Sequence, residues 1–219
     1  MTGPDARVRD LVAGGRITVE EGERLRLALR GTGGVPRIVR NPAEYLRPLH
    51  ATLLAVAVVV ASLAVSQLGV RFDGALDMHR VAGVPSWRTA LLDQVVAVPL
   101  TACILWITSL VVRRQGRVQD FLVAVAVSRL PLVLVALWAL VMLPAPAELM
   151  RQAVSGQVSI RVMIGAVSSL PFTVWKFVWL YRGFAMSAGM RGPRAGISFV
   201  VAVVVAEVLS KVALTALLR

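Results

Sequence analysis

The chain has 219 residues, 57% of them hydrophobic and 16% charged, with a formal net charge of +12 from 24 Lys+Arg against 12 Asp+Glu. A mean hydropathy of +0.74 lies outside the range of ordinary globular domains and excludes a water-soluble enzyme or nucleic-acid binder. The composition is that of an integral membrane protein, all-α because the alternating pattern of a barrel strand is absent and only helices or closed barrels satisfy the backbone in lipid.

The first element is hydrophilic, DARVRDLVAGGRITVEEGERLRLALRG. Val8, Leu11 and Val12 share one helical face, and Gly14-Gly15 ends that helix. Thr18 is placed to cap a second helix with Glu21 at the capping-box position, Leu25, Leu27 and Leu29 supply apolar surface, and Gly31 closes it. This pair spans residues 1–33 and is followed by a glycine-bearing linker, 34–47. Gly15-Arg16-Ile17-Thr18-Val19-Glu20-Glu21 resembles the "G-I-T-x-E-E" core of SHOCT-like helical pairs, which implies an oligomerisation or docking element. A solvated cap on the inner leaflet is the plainer alternative.

Five apolar runs follow: Pro48 to Val70, Arg88 to Val112, Asp120 to Leu143, Val158 to Tyr181 and Arg194 to Leu218. Each is long enough to cross a hydrocarbon core of about 30 Å at about 1.5 Å per residue. They define a five-helix transmembrane domain over residues 48–219. The first run is expected to act as an uncleaved signal anchor. Arg37, Arg40, Arg47, Arg113, Arg114, Arg117, Arg182, Arg191 and Arg194 would share one side, leaving Arg71, Arg80, Arg88, Arg151, Arg161 and Arg219 on the other. That bias predicts a cell-membrane protein with its N-terminus in the cytoplasm and its C-terminus outside. The same arginines would draw anionic lipid head groups to the inner face, so the positive charge calls for no nucleic-acid partner.

Between the first two runs, RFDGALDMHR sets Asp73, Asp77 and His79 close together. Three loosely spaced ligands without a turn framework read as a polar loop rather than a metal site. Cys103, the one cysteine, sits within the second span as a small core residue. No catalytic or nucleotide-binding motif is present, and no enzyme activity or cofactor is expected.

Polar groups within the spans stand out, because a charge at bilayer depth costs about 2.5–3.5 kcal/mol on insertion scales. Arg129 and Glu207 fall at similar depth, and Asp93 lies near the level of Lys211. The expectation is that Arg129 pairs with Glu207 and Asp93 with Lys211, with carbonyls freed by Pro131 taking the remaining Arg129 donors. Lys176, among Trp175, Trp179 and Tyr181, is expected to snorkel within an interfacial belt, and Arg161 to sit at the outer rim. Pro99, Pro131 and Pro171 lie inside spans two, three and four and are expected to kink them. Ala126 to Pro131 and Ala166 to Pro171 share Ala-Val-Ser-x-Leu-Pro, a short trace of an inverted repeat. Ser187, Ala188, Gly189, Gly192, Ala195 and Gly196 would allow close helix contact around the start of span five.

The second half resembles the Yip (Ypt-interacting protein) family of five-span membrane proteins. The resemblance rests on AVSRLPLVLVAL for the third span and on VWKFVWLYRGFAMSAGMRGPRAGISFVVAVVV for the fourth span, inner loop and fifth span. It implies a cytoplasmic N-terminus, five helices and no catalysis. Eukaryotic members bind prenylated Rab GTPases in vesicle traffic through an acidic and aromatic "D-L-x-G-P" motif. That motif is absent here, and the helical hairpin stands in its place. The sequence therefore reads as a non-enzymatic protein that organises the membrane through homo- or hetero-oligomeric assembly with membrane proteins. The runner-up is a small-solute or ion transporter built on the proline-bearing helices and buried charges.

Overall fold

The computed structural model describes residues 4–23, 42, 46, 48–113 and 116–218. The chain divides into two compact units, Met1–Arg40 and Asn41–Arg219.

In the first unit, α1 (Pro4–Ala13) buries Val8 and stops at Gly14 and Gly15, the latter at φ 66°. The capping box forms as its residue types require: Thr18 N–H donates to Glu21 Oε2 at 2.9 Å, and Glu21 N–H donates to Thr18 Oγ1 at 3.2 Å. Helix follows over 19–23. The rest of the expected second helix, including Gly31, and most of the linker lie outside the described residues.

The second unit is an all-α bundle of five helices long and apolar enough to cross a membrane. Span one is α2 (Pro48–Ser66) and span two is α3 (Trp87–Arg113). Span three is two helices, α4 (Val118–Ser128) and α5 (Leu130–Met142). A short α6 (Pro146–Ser155), with no buried residue, leads to span four, α7 (Ile160–Ser187). Span five is α8 (Pro193–Leu217). Span one ends at Ser66 rather than Val70, because the chain turns there into a minimal antiparallel hairpin. Its strands β1 (Val70–Arg71) and β2 (His79–Arg80) pair Val70 with Arg80 and Arg71 with His79.

Span three is the hub, packing on spans one, two and four, while span five packs chiefly on span two. Burial follows helical spacing: Ala51, Ala55, Val58, Ser62 and Val65 form one stripe of α2. Ser62 and Ser66 return their hydroxyls to the carbonyls one turn back, at 2.8 Å each, so these polar groups add no unsatisfied donor to the apolar stripe. A close helix approach lies where the sequence did not place it. A Cβ on Gly183 would meet the Ala124 Cβ at 2.6 Å, so spans three and four touch backbone to backbone there. Gly196, by contrast, faces open space, and Gly192 serves the turn at φ 76°.

The three prolines act differently. Pro131 follows a one-residue interruption of span three at Arg129, whose backbone stays in the right-handed helical region at φ −78°, ψ −14°. Pro99 and Pro171 sit inside helices that run on without a break. The two Ala-Val-Ser-x-Leu-Pro segments thus differ only in that span three is interrupted at Arg129 while α7 is continuous.

Candidate functional site

The hairpin between spans one and two folds into the bundle instead of lying over it. Val70 and Phe72 are fully buried, and Gly74 and Ala75 are buried beside them. Irregular backbone at membrane depth is tolerated only where protein satisfies its N–H and C=O groups. Here charged side chains from the spans do so.

Arg129, 1% exposed, donates from Nη2 to the Gly74 carbonyl at 2.7 Å and from Nη1 to Gln94 Oε1 at 2.8 Å. Lys176, also 1% exposed, donates to the next carbonyl, that of Ala75, at 2.7 Å. Glu207 accepts from the Leu76 N–H at 2.8 Å. Three consecutive loop residues are thus held by three spans. Arg129 lies midway along span three and Lys176 in the middle third of α7, so the loop tip descends to the centre of the apolar zone. The hairpin is re-entrant.

Its edges are fastened by ion pairs. Arg71 grips the fully buried Asp93 through Nη2–Oδ1 at 2.6 Å and Nε–Oδ2 at 3.0 Å, a two-pronged arrangement suited to a guanidinium. Lys211 bridges Asp77 and Glu207, at 2.9 Å to each. Arg80 donates to the Leu143 and Pro144 carbonyls at 2.5 and 2.9 Å, tying β2 to the end of span three. Gly74 must lack a side chain: a Cβ there would lie 2.5 Å from Asp77 Oδ1 and 2.5 and 2.6 Å from the Glu207 oxygens.

Both expected ion pairs are overturned. Arg129 does not pair with Glu207, nor Asp93 with Lys211. The depths agreed, but spans three and five make little direct contact and the loop lies among these groups, taking one bond from each side. The Arg129 donors go to Gln94 and Gly74, not to carbonyls freed by Pro131.

The belt around Lys176 is corrected too. α7 continues to Ser187, well past the expected end at Tyr181, so Lys176 is too deep to snorkel. Trp179 is buried and meets Trp175 edge-on at 5.0 Å, and Tyr181 packs on Phe199 at 5.4 Å. Trp179 belongs to the core, and Trp175 and Tyr181 pack against it half-buried. Arg161 remains at its rim, exposed and donating to the Val141 carbonyl. Gln94, Arg71 and the loop backbone were not foreseen as partners. The signal was the apolar content of RFDGALDM itself, since Phe72, Ala75 and Leu76 have little reason to sit in a solvated loop.

At the mouth of the hairpin, Asp73, Asp77 and His79 come together, their ligand-type atoms all within 4.8 Å of one another. His79 Nδ1 is 3.4 Å from Asp73 Oδ1. The Asp73 carboxylate raises the His79 pKa against the opposing effect of burial. Burial pushes Asp73 upward, yet His79 and Arg71 together leave it below its ordinary value.

Two cavities lie away from these charges. One of about 410 Å³ opens among Leu46, Thr52, Asp120 and Ser187. A groove of about 280 Å³ runs between Val56, Val60, Val98 and Leu122 and is wholly apolar. No protein-family model, no curated protein and no solved structure matches this chain.

Proposed function

We propose that this chain is a non-enzymatic integral membrane protein that organises the bilayer by assembling with copies of itself or with other membrane proteins, its midplane charges serving to lock the fold. The observation that carries this reading is the seating of the loop. Arg129 and Lys176 are spent on the Gly74 and Ala75 carbonyls, each 1% exposed, whereas a permeation path needs such groups open to water. The cavities described above are lined by neither residue. The Yip-like second half and the SHOCT-like hairpin support the same reading, and the arginine bias supports a cytoplasmic N-terminus and an external C-terminus in the cell membrane.

The test is crosslinking in native membranes with partner identification, alongside accessibility of Ala75→Cys in a Cys103→Ala background. Assembly predicts discrete crosslinked species and an introduced thiol shielded from water-soluble reagents. A thiol at the loop tip that reacts readily from either side refutes the locked fold. Reporter fusions at Gly156 and Leu218 should both report the outer side.

One observation favours transport as a second reading. Span three is interrupted at midplane depth beside a re-entrant loop, the construction in which transporters place substrate sites. On that reading the seated loop is an occluded state, and the reactivity of the Ala75→Cys thiol should change with solute.

A further inference from the structure

We propose that Asp73, Asp77 and His79 form a site for a divalent transition-metal ion of the zinc class, clamping the mouth of the re-entrant hairpin. Three features of the geometry converge on it.

The first is proximity across the hairpin. Asp73 follows β1 and His79 opens β2, so these ligands come from opposite arms, and all three ligand atoms fall within 4.8 Å. The second is the form of the closest approach. His79 Nδ1 and Asp73 Oδ1 are 3.4 Å apart, and that oxygen accepts no aligned hydrogen bond. Two ligands about 2.0–2.1 Å from a tetrahedral zinc ion stand about 3.3–3.4 Å apart.

The third is the set of orphan oxygens. Asp77 Oδ1 is shut off from solvent and accepts no hydrogen bond from the described residues, and Asp73 Oδ1, equally shielded, has only the loose approach of His79 at 3.4 Å. Asp77 binds Lys211 through its other oxygen, Oδ2, at 2.9 Å, so the lysine leaves Oδ1 free. A shielded anionic oxygen without a donor, beside a second with only a loose one, is a costly arrangement that a further cation relieves.

The donor set argues for the class of metal. One imidazole with two carboxylates suits zinc or a neighbouring first-row ion, whereas calcium and magnesium favour oxygen-only shells. His79 is exposed, which gives an ion a route in and leaves a position for water. The clamp would join the two arms of the hairpin above the seated tip, and it stands whether or not the chain assembles with partners.

Calorimetric titration of the full chain in detergent with zinc chloride, after chelator treatment, tests the site. One zinc ion per chain is expected, weakened about tenfold or more in His79→Gln and in Asp73→Asn and unchanged in His50→Gln, the other histidine. Calcium chloride at equal concentration should not compete. Thermal unfolding without metal checks that His79→Gln still folds, as its exposure predicts. Zinc uptake that is absent, that survives both ligand changes, or that is lost equally in His50→Gln overturns the proposal.

Discussion

Arg129 and Glu207 do not touch, yet they hold the same loop from two sides, the one at the Gly74 carbonyl at 2.7 Å and the other at the Leu76 N–H at 2.8 Å. The backbone between them acts as the bridge. A cation at midplane depth is therefore explained by an irregular peptide segment whose carbonyls would otherwise face hydrocarbon.

Exchange of the two charges separates this arrangement from a direct ion pair. Arg129→Glu with Glu207→Arg should recover nothing, because each new group meets the wrong backbone polarity: a carboxylate against a carbonyl, a guanidinium against an N–H. Thermal unfolding in detergent of both single variants and the double is the measurement. Recovery in the double would re-establish the direct pair.

Gly74→Ala should destabilise by about 1–3 kcal/mol, the usual range for overpacking. The added methyl meets three carboxylate oxygens at 2.5–2.6 Å. Relief requires both carboxylates to shift, Glu207 from Leu76 and Asp77 from its place beside Lys211. Chemical denaturation reads the loss, and Ala75→Cys labelling should rise with it.

Asp93 and Arg71 form the hairpin's most buried ion pair among the described residues. Asp93→Ala leaves a guanidinium facing apolar surroundings and should cost about 3–5 kcal/mol. Replacing both, as Arg71→Met with Asp93→Leu, should recover much of that loss. A double-variant loss equal to the sum of the Arg71→Met and Asp93→Leu losses would mean that the pair does not act as a unit.

In the first unit, Thr18→Ala should loosen the helical turn over 19–23 by about 1 kcal/mol, read as faster amide exchange at those residues. The Thr18 backbone N–H and hydroxyl hold the Glu21 carboxyl below its ordinary pKa. A depressed folded value gives stability that is present above the unfolded pKa and lost as pH falls through the folded one. Protection factors at 19–23, each referred to the intrinsic exchange rate at that pH, should therefore fall on acidification in the parent chain and change less in Thr18→Ala.

The spans were legible because hydrophobic length is a one-dimensional property, and five helices stand within a few residues of their expected bounds except at Ser66 and Ser187. The depth of Arg129 and Glu207 was legible for the same reason. Their partners were not, because depth along a helix says nothing about which face meets which neighbour. A loop taken as solvated was left out of the search for acceptors. Lys176 shows the sensitivity best: a span end placed at Tyr181 instead of Ser187 turned a buried donor into a rim residue. The capping box at Thr18 and Glu21 was read correctly because its chemistry is local.

The seated hairpin also orders events during synthesis. Its partners stand 55, 101 and 131 residues downstream, at Arg129, Lys176 and Glu207. When spans one and two first enter the bilayer, the Gly74 to Leu76 backbone has none of them to bond. It must wait among the lipid head groups until the last helix arrives. Biogenesis is then insertion first and loop capture last, with long-range contacts setting the slow step. A nascent chain stopped before Glu207 would carry four complete spans yet leave the Leu76 N–H without its acceptor, a distinguishing mark for membrane quality control.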